Sequence, residues 1–240
     1  MIGAVLSDPP MPIRKCRKGP EADLVDAVLL HGLPETYGHR PLLLREPELP
    51  TGYPDLVAVF LRRASCRNLT PARLAFTANH IRLIHHLYCV RGSAITEMSR
   101  ALSWSQRKLQ GVVDDLRTAG IARKAGERIA LKRPRLLFGV SRIVAIEAKI
   151  RDWKRAIDQA TANTWFASHS YVLLPPKRRL GALVTRARHL GIGVMISDGE
   201  ECKVVLKAKR QPIPASYGSW LLSEWVFRHI NRGSKHADTR

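Results

Sequence analysis

Glu147, Ala148 and Lys149 close a short apolar run at residues 143–146. Alternate side chains of a strand share a face. Glu147 and Lys149 are therefore expected side by side, with Ala148 turned into the packing. A carboxylate beside an ammonium at the end of a buried strand suits phosphodiester cleavage assisted by a divalent cation. The carboxylate offers the hard oxygen that such a cation takes. The ammonium offsets phosphate charge and helps orient or activate the attacking water. The same chemistry calls for a second acid. Asp55 supplies one, straight after Pro54 and at the head of the apolar run 56–61.

The elements that must hold these residues can be read on either side of them. Residues 152–166 carry Trp153, Ala156, Ile157, Ala160 and Phe166 near one helical stripe. A second apolar run, 171–174, follows and ends at Pro175-Pro176. Upstream, residues 19–32 space Leu24, Val25, Val28 and Leu29 as a helix does, with Pro20, Glu21 and Asp23 in its first turn and Gly32 at its stop. The runs 42–44 and 56–61 read as two strands joined by the turn-rich PELPTGYP. Downstream, 177–190 is a basic helix that includes Lys177, Arg178 and Arg179. Strands at 192–197 and 203–207 flank an Asp198-Gly199 turn. Residues 216–230 form an amphipathic helix with Trp220, Leu221, Trp225 and Phe227. The Pro-rich basic residues 1–18 are expected to be a flexible or loosely packed arm, and the polar residues 231–240 a disordered tail.

Residues 68–133 have a different character. Helices are expected over 71–90 and 93–102. A third is capped by Ser105 and spaces Leu109, Val112, Val113 and Leu116 on one face. Strands at 121–124 and 128–132 then turn at Ala125-Gly126. Three helices and a two-stranded wing are the layout of a winged helix-turn-helix domain. Its third helix opens with Ser105, Gln106, Arg107 and Lys108, and its wing carries Arg123, Lys124 and Arg128, all able to donate to phosphates or base edges. Residues 70–135 hold thirteen Lys/Arg against four Asp/Glu, so nearly half of the net charge falls in this block. The plainer alternative is a helical insertion with a solvated basic surface. His80, His85 and His86 have no acid or cysteine at metal-ligand spacing and are read as packing or exposed residues.

The 240 residues carry a formal charge of +20, which points to a polyanionic partner, nucleic acid or an anionic membrane. No apolar run approaches the ~20 residues of a membrane span, and the N-terminus lacks the pattern of a signal peptide. Four scattered cysteines argue against a zinc module and fit a reducing compartment. The expectation is a cytoplasmic protein that meets DNA, duplex in the first instance, and no membrane.

With residues 68–133 set aside, helix, strand, strand, then strand, helix, strand remain. On Pro54-Asp55 and Glu147-Ala148-Lys149, the chain resembles the PD-(D/E)XK, or restriction-endonuclease-like, nucleases. The resemblance implies an α/β fold: a mixed sheet flanked by helices, discontinuous over 19–67 and 134–230, with a winged helix inserted at 68–133. It implies a metal-dependent DNA endonuclease that uses Mg2+ or Mn2+, with Asp55, Glu147 and the carbonyl of Ala148 as ligands and Lys149 near the attacking water or the phosphate. Glu21 sits where many members carry an auxiliary acid. Gln159 resembles a glutamine of RecB-like members, whereas Asn163 stands where those members carry a tyrosine. Cutting both strands of a duplex calls for two active sites, which a homodimer would supply. Two alternatives stay open. One is a DNA-binding regulator or adaptor on an inactive nuclease fold, and the other is a nuclease acting on RNA or branched DNA.

Overall fold

In the computed structural model, the described residues are 4–5, 14, 18–33, 41–62, 70–176, 180–214 and 216–237. The chain opens with β1 (Ala4–Val5), α1 (Pro20–His31), β2 (Leu42–Arg45) and β3 (Leu56–Leu61). The middle holds α2 (Pro71–Leu74), α3 (Ala78–Val90), α4 (Ile95–Leu102), α5 (Gln106–Thr118), β4 (Ala122–Ala125), β5 (Arg128–Leu131) and α6 (Pro134–Leu137). The remainder holds β6 (Val140–Ala148), α7 (Trp153–Asn163), β7 (His169–Leu174), α8 (Gly181–Leu190), β8 (Gly193–Ser197), β9 (Cys202–Leu206) and α9 (Tyr217–Ala237). These form two compact units. The first comprises Met1–Leu61 and Val140–Ser219, and the second Arg62–Gly139 and Trp220–Arg240.

The first unit has an α/β architecture built on one mixed sheet in the order β1-β2-β3-β6-β7-β8-β9. β6, β7 and β8 run parallel, joined by crossovers through α7 and α8, while β3 meets β6 antiparallel. Both faces are covered, which explains why β3 and β7 read as continuous apolar runs rather than alternating ones. On one face Leu24, Val25 and Val28 of α1 pack with Ala58, Ile146, Ala148 and Leu173. On the other, Ala156, Ile157 and Ala160 of α7 join Leu183 of α8 against Val172, Leu174 and Val194. Burying each larger side chain of this kind stabilises by about 1.5–3 kcal/mol. The alternation of strand side chains thus assigns even-numbered residues of β6 to the α1 face and odd-numbered ones to the α7 face.

The N-terminal arm is not wholly loose. Ala4 and Val5 pair in parallel with Leu42 and Leu43 and form the sheet edge, and the Arg14 N–H donates to the Glu46 carbonyl (3.1 Å). Such pairing satisfies ladder groups that an open edge would leave to solvent. Apart from the exposed Lys18, the other residues of the expected arm lie outside the described residues, as do Lys177, Arg178 and Arg179 of the expected basic helix.

In the second unit, α3, α4 and α5 precede a hairpin turned at Gly126, whose φ of 61° favours glycine. Ser93 adds a bridge to Ile129 (N···O 2.9 and 2.8 Å). The helix expected over 71–90 is broken. The chain is extended at Thr77, whose backbone N–H donates to Nδ1 of His80 (2.9 Å), and the Phe76 ring stacks on that imidazole. This cap starts α3 afresh. His80 thus packs and caps, and its Nε2 also meets an Asp115 carboxylate oxygen of α5 at 3.0 Å, a partner that helical spacing does not reveal.

The C-terminal helix corrects the expected domain boundary. Residue order places 134–230 in the sheet-bearing core, yet α6 and α9 from Trp220 onward group with the second unit. The partners of α9 explain this. Trp220 is buried edge-on to Tyr88 and Phe138, and Glu224 pairs with Arg73 of α2 (2.9 Å). Arg73 also donates to the Leu137 carbonyl (2.8 Å) and lies over the Phe227 ring, 4.3 Å from its centroid. The helix continues to Ala237, well into the stretch expected to be a disordered tail. Once a helix is nucleated, each further residue adds a hydrogen bond at little cost.

Candidate active site

The register of the two central strands brings the two acids together. Leu56 faces Ile146 across the antiparallel β3–β6 ladder, so the next step along each strand sets Asp55 opposite Glu147. Asp55 is fixed by its Oδ2, which accepts from the Ala148 backbone N–H at 2.7 Å. Glu147 lies on the α7 face, beside Val172, and is only 3% exposed. Its Oε1 accepts from Nδ2 of Asn163, at the end of α7, at 2.6 Å. Its Oε2 is buried and has no hydrogen-bond partner among the described residues.

Lys149 follows the last residue of β6, where its N–H still donates to the Leu173 carbonyl of β7 (3.0 Å). Its Nζ donates to the Ala148 carbonyl (2.8 Å) and to Oε2 of Glu21 in the first turn of α1 (3.0 Å), and stands 3.9 Å from Oδ2 of Asp55. Glu147 and Lys149 thus touch different elements: Glu147 meets α7 and Lys149 meets α1. With the Glu21 side chain 48% exposed, the Glu21–Lys149 pair is worth at most about 1 kcal/mol. Its consequence is the aim of the ammonium rather than stability. Gln159, one turn before Asn163, has a buried Oε1 with no partner among the described residues. It lines a cleft of about 770 Å³ with Glu21, Asp55, Lys149, Arg151 and Arg155. The structure therefore brings Asp55, Glu147, Lys149, Glu21 and Gln159 to one end of the sheet.

Sequence reasoning missed the role of Asn163, which it saw only as the absence of a tyrosine. It also missed Glu46, whose N–H donates to the Asp55 carbonyl (3.2 Å) and whose charge raises the Asp55 pKa. Asn163 lies sixteen residues from Glu147, and the β6–α7 connection that joins them leaves no spacing signature. Its one visible signal is a polar residue four after Gln159 on an otherwise small and apolar helix face.

Burial, and then the charge of Asp55, push the carboxyl of Glu147 up to about 8, against the opposing pull of the Asn163 hydrogen bond and the Lys149 ammonium. Burial likewise raises Asp55, opposed by the Ala148 N–H and Lys149. Two carboxylates crowded in this way hold a proton between them unless a cation takes its place. Among the described residues, no group of three or more His, Cys, Asp or Glu side chains is arranged to hold a metal ion. The donor set here is two carboxylates and a main-chain carbonyl, with one buried carboxylate oxygen left unpartnered. Those are the hard oxygens that a magnesium or manganese ion takes while keeping several waters, so the residues fit the group.

A stability prediction follows from this crowding. The folded chain holds the Glu147 proton to higher pH than the unfolded chain, whose ordinary value is 4.5. The stability this supports is complete below pH ~4.5 and is lost as pH rises through ~8. Cation-free wild type should therefore lose stability across this window. Glu147→Gln should not, and at pH 8 it should be the more stable by roughly 2–4 kcal/mol. Urea titrations of both proteins in chelator at pH 5, 6.5 and 8 check this. Parallel wild-type and variant curves would contradict it.

In the second unit, Ser105 caps α5 by accepting from the Lys108 N–H (3.3 Å). Gln106, Arg107 and Lys108 are exposed on the first turn, while Leu109, Val112, Val113 and Leu116 face inward. The Lys108 ammonium lies over the Trp104 ring, 4.6 Å from its centroid. Arg123 and Lys124 of β4 are exposed, and their backbones pair with Ala130 and Ile129 of β5. Arg128 differs. Its guanidinium reaches Glu97 (3.1 Å) and the Gly92 carbonyl (2.8 Å), tying the hairpin to α4 and the turn before it.

Comparison with protein-family models, with characterised proteins and with solved structures finds no match. Among the described residues, no helix is long and apolar enough to cross a membrane.

Proposed function

We propose that the chain is a metal-dependent DNA endonuclease, a hydrolase of phosphodiester bonds on a restriction-endonuclease-like core with an inserted winged helix. One observation carries the reading. Asp55 and Glu147 face each other across β3 and β6, with an unpartnered buried oxygen on Glu147 and the Lys149 ammonium 3.9 Å from Asp55. Asp55, Glu147 and the carbonyl of Ala148 would hold Mg2+ or Mn2+. Such an ion, when bound, lowers the pKa of a coordinated water and offsets charge on the phosphate. Lys149, aimed by Glu21, presents its N–H donors toward the phosphate or the attacking water. Gln159, Arg151 and Arg155 line the path of the strand. Water is excluded from the Glu147 side by the apolar face of α7.

The inserted unit would grip duplex DNA through Ser105, Gln106, Arg107 and Lys108, with Arg123 and Lys124 on the wing. Arg128 holds that wing in place. A homodimer of such chains would present two sites for the two strands. Affinity should fall steeply with salt. Each of Arg107→Ala and Lys124→Ala should weaken binding and reduce the salt slope by about 1, read by fluorescence anisotropy across a sodium chloride series. A slope unchanged in both variants would remove this surface from the grip. The cleavage test is supercoiled plasmid, linear duplex, single strand and a four-way junction, each with magnesium or with chelator. Magnesium-dependent scission is the expected result, whereas DNA binding without scission on any of the four, or on RNA, would favour the adaptor.

A further inference from the structure

We propose that Asn163 is a positioning residue that confines Glu147 to one ligating oxygen, so that the site takes one divalent cation rather than two. The inference rests on the reading of Asp55 and Glu147 as ligands given above. Oε1 of Glu147 accepts the Asn163 amide at 2.6 Å, and both side chains are buried, at 3% and 4% exposure. Oδ2 of Asp55 accepts the Ala148 N–H at 2.7 Å. Oε2 of Glu21 accepts the Lys149 ammonium. Each inner carboxylate therefore keeps one oxygen that accepts from no N–H donor among the described residues, and Glu21 is committed to a cation of the chain itself. A second ion at the Asp55–Glu147 pair would need the other two oxygens of these acids, which already accept N–H donors.

Asn163 suits this task for a specific reason. An amide N–H₂ donates to a carboxylate but carries no charge, so it orients Glu147 without competing electrostatically with a bound ion, as a lysine or arginine would. It stands on the last turn of α7, whose Ala156, Ile157 and Ala160 are locked into the core, so its reach is fixed. Groups that orient a ligand in this way typically alter metal affinity by about 10–100-fold when removed.

The test is Mn2+ binding to the full-length chain, with free ion counted by electron paramagnetic resonance and folding checked by circular dichroism. Wild type is expected to bind one Mn2+ per chain. Asn163→Leu, of similar size but without the donor, should bind Mn2+ about 10–100-fold more weakly while its affinity for DNA in chelator is unchanged. Asn163→Asp should raise the stoichiometry to two, because a third carboxylate then replaces the capping amide. Two ions in wild type, a folded Asn163→Leu with wild-type Mn2+ affinity, or a single ion in Asn163→Asp overturns the inference. Should Asn163→Leu not fold, the stoichiometries of wild type and Asn163→Asp decide alone. Scission is scored separately. A chain that binds one Mn2+ in this Asn163-dependent way yet cuts no DNA supports the inference and sinks the nuclease reading. A chain that cuts DNA but binds Mn2+ indifferently to Asn163 does the reverse.

Discussion

Glu147→Gln and Lys149→Ala proteins are expected to bind duplex DNA as wild type does and to cut it at least about 10²–10³-fold more slowly. The two losses have different origins. Glutamine keeps the shape of the Glu147 side chain and its contact with Asn163, but it removes the charge that a hard cation requires. Alanine at 149 leaves the two acids in place and removes the donors that Glu21 aims past Asp55. Unfolding cannot account for the first loss, since Glu147→Gln removes a buried, crowded charge and should be the more stable protein without cations. Binding survives because the proposed grip lies on α5 and β4. Single-turnover cleavage with enzyme in excess over a labelled duplex, paired with anisotropy in chelator, separates the two quantities. Wild-type cleavage by either variant would remove its residue from the chemistry.

Arg73→Ala is expected to destabilise the second unit by about 3–5 kcal/mol. Arg73 is 1% exposed and Glu224 2%, and their contact at 2.9 Å ties α2 to α9. Removing the guanidinium strands the Glu224 carboxylate away from water, leaves the Leu137 carbonyl without its donor at 2.8 Å, and opens space over the Phe227 ring. The stranded charge makes the cost large, so Arg73→Met paired with Glu224→Leu should recover much of the loss. A buried ion pair replaced by apolar groups of similar volume is often neutral. Denaturation of the single and double variants measures the coupling. A cost below ~1 kcal/mol for Arg73→Ala would show that the pair is not buried in solution as it is here.

Much of the site could be read from residue order, because strands impose strict rules. Asp55 and Glu147 end adjoining apolar runs, and an antiparallel ladder between those runs leaves the two acids opposite each other. The Asp198-Gly199 turn and the Ala125-Gly126 turn announce their hairpins by the same local logic. What failed to show was long-range or too short to carry a pattern. The amphipathic stripe of α9 says that Trp220, Phe227 and their neighbours bury a face, but not that the partners are Tyr88, Phe138 and Arg73. Two residues, Ala4 and Val5, are too few to display alternation. The break before α3 depends on a histidine capping a backbone N–H three residues earlier, which helical spacing alone does not reveal. Asn163 reads as an ordinary polar residue until the β6–α7 connection folds it back onto Glu147.

The most direct measurement is anomalous X-ray diffraction from crystals of the full chain grown with Mn2+ at pH 8. One anomalous peak is predicted per chain, in contact with the carboxylates of both Asp55 and Glu147 at the ~2.0–2.2 Å typical of small divalent ions. It should be missing in Glu147→Gln crystals. A peak elsewhere in the chain, or none at that pair in saturating Mn2+, would contradict the account.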